Sequence, residues 1–99
     1  MASAASNQTI GSASESAIFT ASADGGKCAR FKVYCKSSSS NPVLLRVPGL
    51  HKDGEQVGLA AGESIEFQLS ENGIAEVYAQ GSGGNAAIDY AVTAKLIKA

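Results

Sequence analysis

His51 and Asp53 share one short segment and serines abound, so the first chemistry to weigh is nucleophilic attack by an activated serine. A Ser-His-Asp site is defined by geometry, and two residues in one loop do not supply it. The lone histidine reads as solvated. Structural zinc needs about four Cys, His or carboxylate ligands, which one histidine with Cys28 and Cys35 does not provide. No context singles out a carboxylate pair for glycoside hydrolysis, and no histidine close in sequence activates either thiol. Gly81-Ser82-Gly83-Gly84-Asn85 leads into an alternating strand instead of a helix, so no helix N-terminus waits there for a phosphate, and it reads as a hairpin loop. Tyr34, Tyr78 and Tyr90 remain. If exposed, Tyr34 or Tyr78 would make an aromatic platform for a sugar ring; half-buried, tyrosines fill the edge of a sheet core with the hydroxyl toward water. The residues imply no catalysis, no cofactor and no metal, and describe a domain that binds or assembles.

The elements beneath these residues are strands. In Ser64-Ile65-Glu66-Phe67-Gln68-Leu69 the apolar residues recur every second position, the period of a half-buried strand. The same reading gives strands at Ala17 to Phe19, Cys28 to Lys36, Val43 to Val47, Glu63 to Leu69, Ile74 to Gln80 and from Ile88 through Leu96, with a short one near Val57. Turns fall at Asp24-Gly25-Gly26, Pro48-Gly49, Asp53-Gly54 and Ala60-Ala61-Gly62-Glu63, where Gly62 supplies a positive φ. Ser70-Glu71-Asn72-Gly73 reads as an Asn-Gly hairpin turn. Six to seven strands and no convincing helix predict an all-β fold, a small antiparallel β-sandwich or jelly-roll-like barrel. In the second strand Phe31, Val33 and Cys35 face the core, while Arg30, Lys32 and Tyr34 face outward. Cys28, near the strand start, is expected to be exposed. One strand would hold the two thiols roughly 23 Å apart at ~3.3 Å per residue, too far for a disulfide.

With 99 residues the chain forms one domain, residues 15–99, preceded by residues 1–14 as a flexible N-terminal arm. The arm is Ala, Ser, Gly, Asn, Gln and Thr, with Ile10 its only large apolar residue besides Met1. It is either a disordered tail or a segment that orders against a neighbouring subunit through Ile10. Removing it should leave the domain's melting temperature nearly unchanged and weaken any attachment to a neighbouring subunit or shell. No basic stretch followed by an apolar run marks a signal peptide, and no apolar run reaches the ~20 residues that cross a bilayer. The expectation is a soluble chain made in a reducing cytoplasm. Charge is segregated: Lys27, Arg30, Lys32, Lys36, Arg46 and Lys52 fall together, and Asp53, Glu55, Glu63, Glu66, Glu71, Glu76 and Asp89 follow. Basic and acidic strands either pair across one molecule, or a basic patch meets an acidic patch on another subunit or partner. Six bases on a chain of net charge −1, with only Phe31 and Tyr34 between them, make a poor nucleic-acid footprint.

From Phe19 to Leu96 the order of segments is familiar. Ala21-Ser22-Ala23 and a turn lead to Arg30-Phe31-Lys32-Val33-Tyr34; a hydrophobic strand is followed by Leu59-Ala60-Ala61-Gly62-Glu63-Ser64-Ile65-Glu66-Phe67, then Gly73-Ile74-Ala75-Glu76-Val77-Tyr78-Ala79. This resembles small β-sandwich virion proteins of tailed bacteriophages, found as head decoration (cement) proteins or capsid-associated fibre modules. The chain departs from that pattern after the second strand, where Cys35-Lys36 and four serines replace an asparagine-rich segment. The resemblance implies a homo-oligomer, dimer or trimer, made in a host bacterial cytoplasm and bound to the major capsid protein on the capsid exterior. Ile10, Arg30, Lys32, Lys36 and Arg46 are the candidate capsid or subunit contacts. A receptor- or carbohydrate-binding module of a fibre, with Tyr34 or Tyr78 as platform, is the alternative.

Overall fold

A computed structural model of the chain describes residues 4–50, 55–69 and 71–96. His51, Lys52, Asp53 and Ser70, named above, lie outside them. The described chain is built from eight strands: β1 (Ala4–Ile10), β2 (Ser16–Thr20), β3 (Cys28–Cys35), β4 (Val43–Arg46), β5 (Val57–Leu59), β6 (Ser64–Gln68), β7 (Glu76–Gly81) and β8 (Ala86–Lys95). A single helical turn, α1 (Ala21–Asp24), follows β2 and ends at Gly25, whose φ of 84° places it in the left-handed region.

The strands form two antiparallel sheets, β1-β8-β3-β6 and β2-β7-β4-β5. Four pairs are nested: β4 with β5, β3 with β6, β2 with β7, and β1 with β8. Rolling this long nested hairpin then sets β8 against β3 and β7 against β4. That strand order is a jelly roll, two Greek keys closed over one core. The all-β expectation holds, with one strand more than the alternation indicated.

The additional strand is β1, and it corrects the reading of residues 1–14 as a flexible arm. Composition alone gives Ala4 to Thr9 no reason to order, since their side chains are exposed or half-buried. Their backbone, however, pairs with the free edge of β8, from Ala4 opposite Ala91 to Ile10 opposite Ala86. Ile10 itself is 5% exposed within this chain's own core. Deleting residues 1–10 is therefore expected to destabilise the fold by at least ~1.5 kcal/mol, the contribution of one buried Ile side chain. Thermal denaturation of the truncated chain tests this, and an unchanged midpoint would restore the free-arm reading.

The core follows the alternation. Phe31, Val33 and Cys35 on β3, Phe67 on β6 and Ile88 on β8 meet Phe19 on β2, Val43 and Leu45 on β4, and Val77 and Ala79 on β7, all buried. Phe31 bridges the layers. Its ring lies 5.4 Å from that of Phe19 in the opposite sheet and 5.7 Å from that of Tyr90 on β8, distances at which aromatic pairs attract beyond their area burial.

Three local expectations change. Cys28 is buried, 1% exposed, because the β3–β8 register slips between Cys28 and Arg30 and again between Arg30 and Phe31. Such irregularities reverse which face a residue presents. Cys28 also bridges Ile74 by two backbone hydrogen bonds, of 3.1 and 2.7 Å. No disulfide joins Cys28 and Cys35, in keeping with their spacing. The Asn72-Gly73 turn is not a hairpin turn: Gly73, at φ 80°, donates its N–H to the Leu69 carbonyl and takes the chain from one sheet to the other. Gly81–Asn85 likewise connects β7 to β8 across the layers. Gly62 has the positive φ its turn demanded, 90°, and that turn is closed by the Glu63 N–H on the Ala60 carbonyl and the Ala60 N–H on the Glu63 carboxylate.

Candidate binding surfaces

Because the inward positions are filled with apolar side chains, any recognition falls to the two outer sheet faces and the ends. On the β1-β8-β3-β6 sheet the outward residues of β3 are Arg30, Lys32 and Tyr34. Register places Lys32 between Glu66 and Ala91, and Tyr34 between Ser64 and Asp89. The β1 strand flanks β8, with Ala4 opposite Ala91 and Ala5 opposite Tyr90, and its register then slips before Gln8. Asn7 occupies the irregularity at φ 54°. Its N–H donates to Asp89 Oδ1 at 2.8 Å, and its own Oδ1 accepts from Lys36 Nζ, which stands 4.0 Å from the same Asp89 oxygen. Where Ala4, Ala5 and Ala91 stand beside Lys32, Tyr34 and Asp89, the surface sinks into a hollow of about 260 Å³.

The outer face of the β2-β7-β4-β5 sheet is organised differently. Arg46 on β4 grips Glu15, its Nε 2.9 Å from Oε2 and its Nη2 2.8 Å from Oε1. The guanidinium stands over the Tyr78 ring, 4.4 Å from its centroid, within cation–π range. Gln56 Nε2 donates to the same Glu15 carboxylate at 3.2 Å, and Gln80 Nε2 donates to the Ser12 carbonyl at 3.0 Å. This network ties the β1–β2 connection to the sheet. The hydrogen bond from Arg46 holds the Glu15 carboxyl below the ordinary glutamate range, against the opposing effect of desolvation. The Tyr78 phenol is raised, first by its hydrogen bond with Glu76 and then by burial.

Because Glu15's folded pKa lies below its unfolded one, the pair's stabilisation is complete above the unfolded value and is lost as pH falls through the folded one. Glu15→Gln is expected to lower the melting temperature at neutral pH and to flatten the loss of stability on acidification below about pH 4.5. Parallel melting curves for the two chains would show it; identical acid limbs would mean the pair adds nothing.

A second hollow, of about 500 Å³, lies at one end of the sandwich beside Gly25, Gly26, Lys27 and Lys95. Among the described residues no group of three or more His, Cys, Asp or Glu is placed to hold a metal, and no helix is long and apolar enough to cross a membrane.

The structure separates the residues grouped by sequence. Ile10 is buried in this chain's own core. Arg30 and Lys32 are exposed on one face, Lys36 is engaged with Asn7 and Asp89 beside them, and Arg46 lies on the opposite face bound to Glu15. The four cationic candidates therefore form no single basic patch. Two of these charges meet opposite charges within the molecule, Lys36 near Asp89 and Arg46 on Glu15, while Lys32 stands opposite Glu66 only in register. Of the two platform candidates, Tyr78 has a ring face occupied by Arg46, whereas Tyr34 lines the hollow. Asp89, Asn7 and Glu15 were not among the expected site residues. Ala4, Tyr34 and Ala91 lie far apart in the sequence and meet only through the pairing of β8 with β1 and β3. Comparison with known proteins gives no match to a family model, a curated protein or a solved structure.

Proposed function

We propose that this chain is a structural virion protein, a bacteriophage capsid decoration protein that binds the outer head surface and stabilises it. The observation that carries this reading is the complete eight-stranded jelly roll, an architecture that capsid proteins share with lectins and cupins. The segment order that resembles head decoration proteins adds to it. Apolar residues are spent on the core, and Leu50 is the one large hydrophobic side chain exposed among the described residues. The outer faces are polar. A block of 43 × 27 × 21 Å with such faces is suited to bridging neighbouring subunits of a shell. It acts by contact area and copy number, without turnover: modest affinity at each contact is multiplied when a homo-oligomer engages several subunits of the major capsid protein together. Of the candidate contacts, Arg30 and Lys32 are the exposed cations left to such an attachment, which makes part of it salt-sensitive.

The test is co-sedimentation with undecorated phage heads at low and high salt, with head disruption temperature measured alongside. Saturable binding that raises the disruption temperature and weakens with salt is expected. No binding above that of an unrelated small β-protein would overturn the reading.

A further inference from the structure

We infer that the hollow around Tyr34 is a saccharide-binding site, recognising a neutral pyranose ring. Binding to the isolated chain is independent of attachment to a shell, so the two readings succeed or fail separately.

The site is built by the register of three strands. Tyr34 and Lys32 rise from β3, Asp89 stands directly across from Tyr34 on β8, and Ala91 directly across from Lys32. Ala4, opposite Ala91, and Ala5 extend this low floor onto β1. The outward methyls of Ala4 and Ala91, beside Lys32, Tyr34 and Asp89, make a depression with an aromatic wall and polar rims. At about 260 Å³ it falls just below the roughly 300–1,000 Å³ of sites for drug-sized ligands, which suits one ring better than an extended chain.

The polar groups match a polyol. A carboxylate accepts from two hydroxyls, an ammonium donates three hydrogen bonds, and a phenol does either. Asp89 is set in place before any ligand arrives: Oδ1 is held by the Asn7 N–H and faced by Lys36. Fixing the acceptor in advance lowers the ordering cost of binding. Lys32, exposed and two residues from Tyr34, brings the donor to the same hollow. The apolar C–H face of a pyranose packs against an aromatic ring and alanine methyls, while its vicinal hydroxyls divide between Asp89 and Lys32. Lys36 offsets the charge of Asp89, so the site meets ring hydroxyls as hydrogen-bonding groups and needs no charge on the sugar. The strained φ of Asn7 then has a use: it aims that N–H at Asp89.

The experiment is an NMR titration of the isotopically labelled chain with glucose, galactose, mannose and N-acetylglucosamine at millimolar concentration, with a glycan array to rank longer ligands. Saturable shifts centred on Lys32, Tyr34, Asp89 and Ala91 are expected with at least one sugar. Tyr34→Ala and Ala91→Leu, the second filling the hollow without removing a polar group, should each weaken binding at least about tenfold. Asp89→Asn, which keeps an oxygen for the Asn7 N–H, should weaken it by a similar factor, and Tyr78→Ala should leave it unchanged. Absence of localised shifts with all four sugars and no array signal would overturn the inference. So would binding that survives Ala91→Leu in a chain whose melting temperature is preserved.

Discussion

Phe31→Ala is expected to destabilise the fold by about 3–5 kcal/mol, the range of buried aromatic truncations. The ring is 1% exposed, lies between Phe19 and Tyr90, and pairs in register with Phe67 on β6 and Val92 on β8. Truncation empties a space bounded by both sheets, and the closed roll has no loose element to fill it. Phe67→Ala, at 3% exposure, should fall in the same range. Equilibrium denaturation by urea measures both, and a loss below about 1 kcal/mol in either would contradict the register described here.

A comparable effect is expected from adding a single methyl. At Gly81, the last residue of β7, a Cβ would stand 2.1 Å from the Gly84 carbonyl oxygen and 2.9 Å from that of Ile10. Both neighbours are backbone, and the Gly81 N–H is itself bonded to the Gly11 carbonyl at 2.9 Å. No side chain can swing aside, so the β7–β8 connection and the end of β1 must both move. Gly81→Ala should cost about 3 kcal/mol, the upper part of the usual overpacking range. Gly58→Ala is the matched comparison: on β5 a Cβ would meet only the Leu44 side chain, at an ordinary 3.7 Å, and the change should be neutral within about 1 kcal/mol. Equal destabilisation by the two substitutions would show that the close approach at Gly81 is not what matters.

Seven of the eight strands were legible, most clearly where apolar residues recur at every second position, as at Ile65, Phe67 and Leu69 or Phe31, Val33 and Cys35; Ala17-Ile18-Phe19 and Val43-Leu44-Leu45 are short apolar runs without that period. The β1 strand was not. Ala-Ala-Ser-Asn-Gln-Thr has no such pattern, and what orders it is the open edge of β8, far along the chain. The turns at Asn72-Gly73 and Gly81–Asn85 were correctly placed but wrongly connected, because a tight turn looks the same whether the next strand joins this sheet or the other. Cys28 was misplaced by a register slip that leaves no mark in composition. The site was legible in part. Tyr34 was named, but Asp89, Ala91 and Asn7 join it only through pairings of β8 with β1 and β3. Arg46 was grouped with the other cations by its neighbours in sequence, while folding gives it to Glu15.

The nesting of the strands also governs when this chain can fold. Only β4 and β5, at the centre of the nest, are adjacent in sequence as well as in the sheet. Each layer outward closes a longer loop, and loop-closure entropy must be met before the contacts it permits are made. The last two of these eight strands to be synthesised, β7 and β8, are each one of the two interior strands of their sheet. Until they emerge from the ribosome, β2 and β1 have no partner, and β3 and β4 each lack one neighbour. Assembly therefore waits for β8 and then proceeds cooperatively, in the millisecond-to-second regime of proteins dominated by non-local pairing. During that wait the nascent chain carries alternating strands with unpaired edges, the state most prone to aggregate.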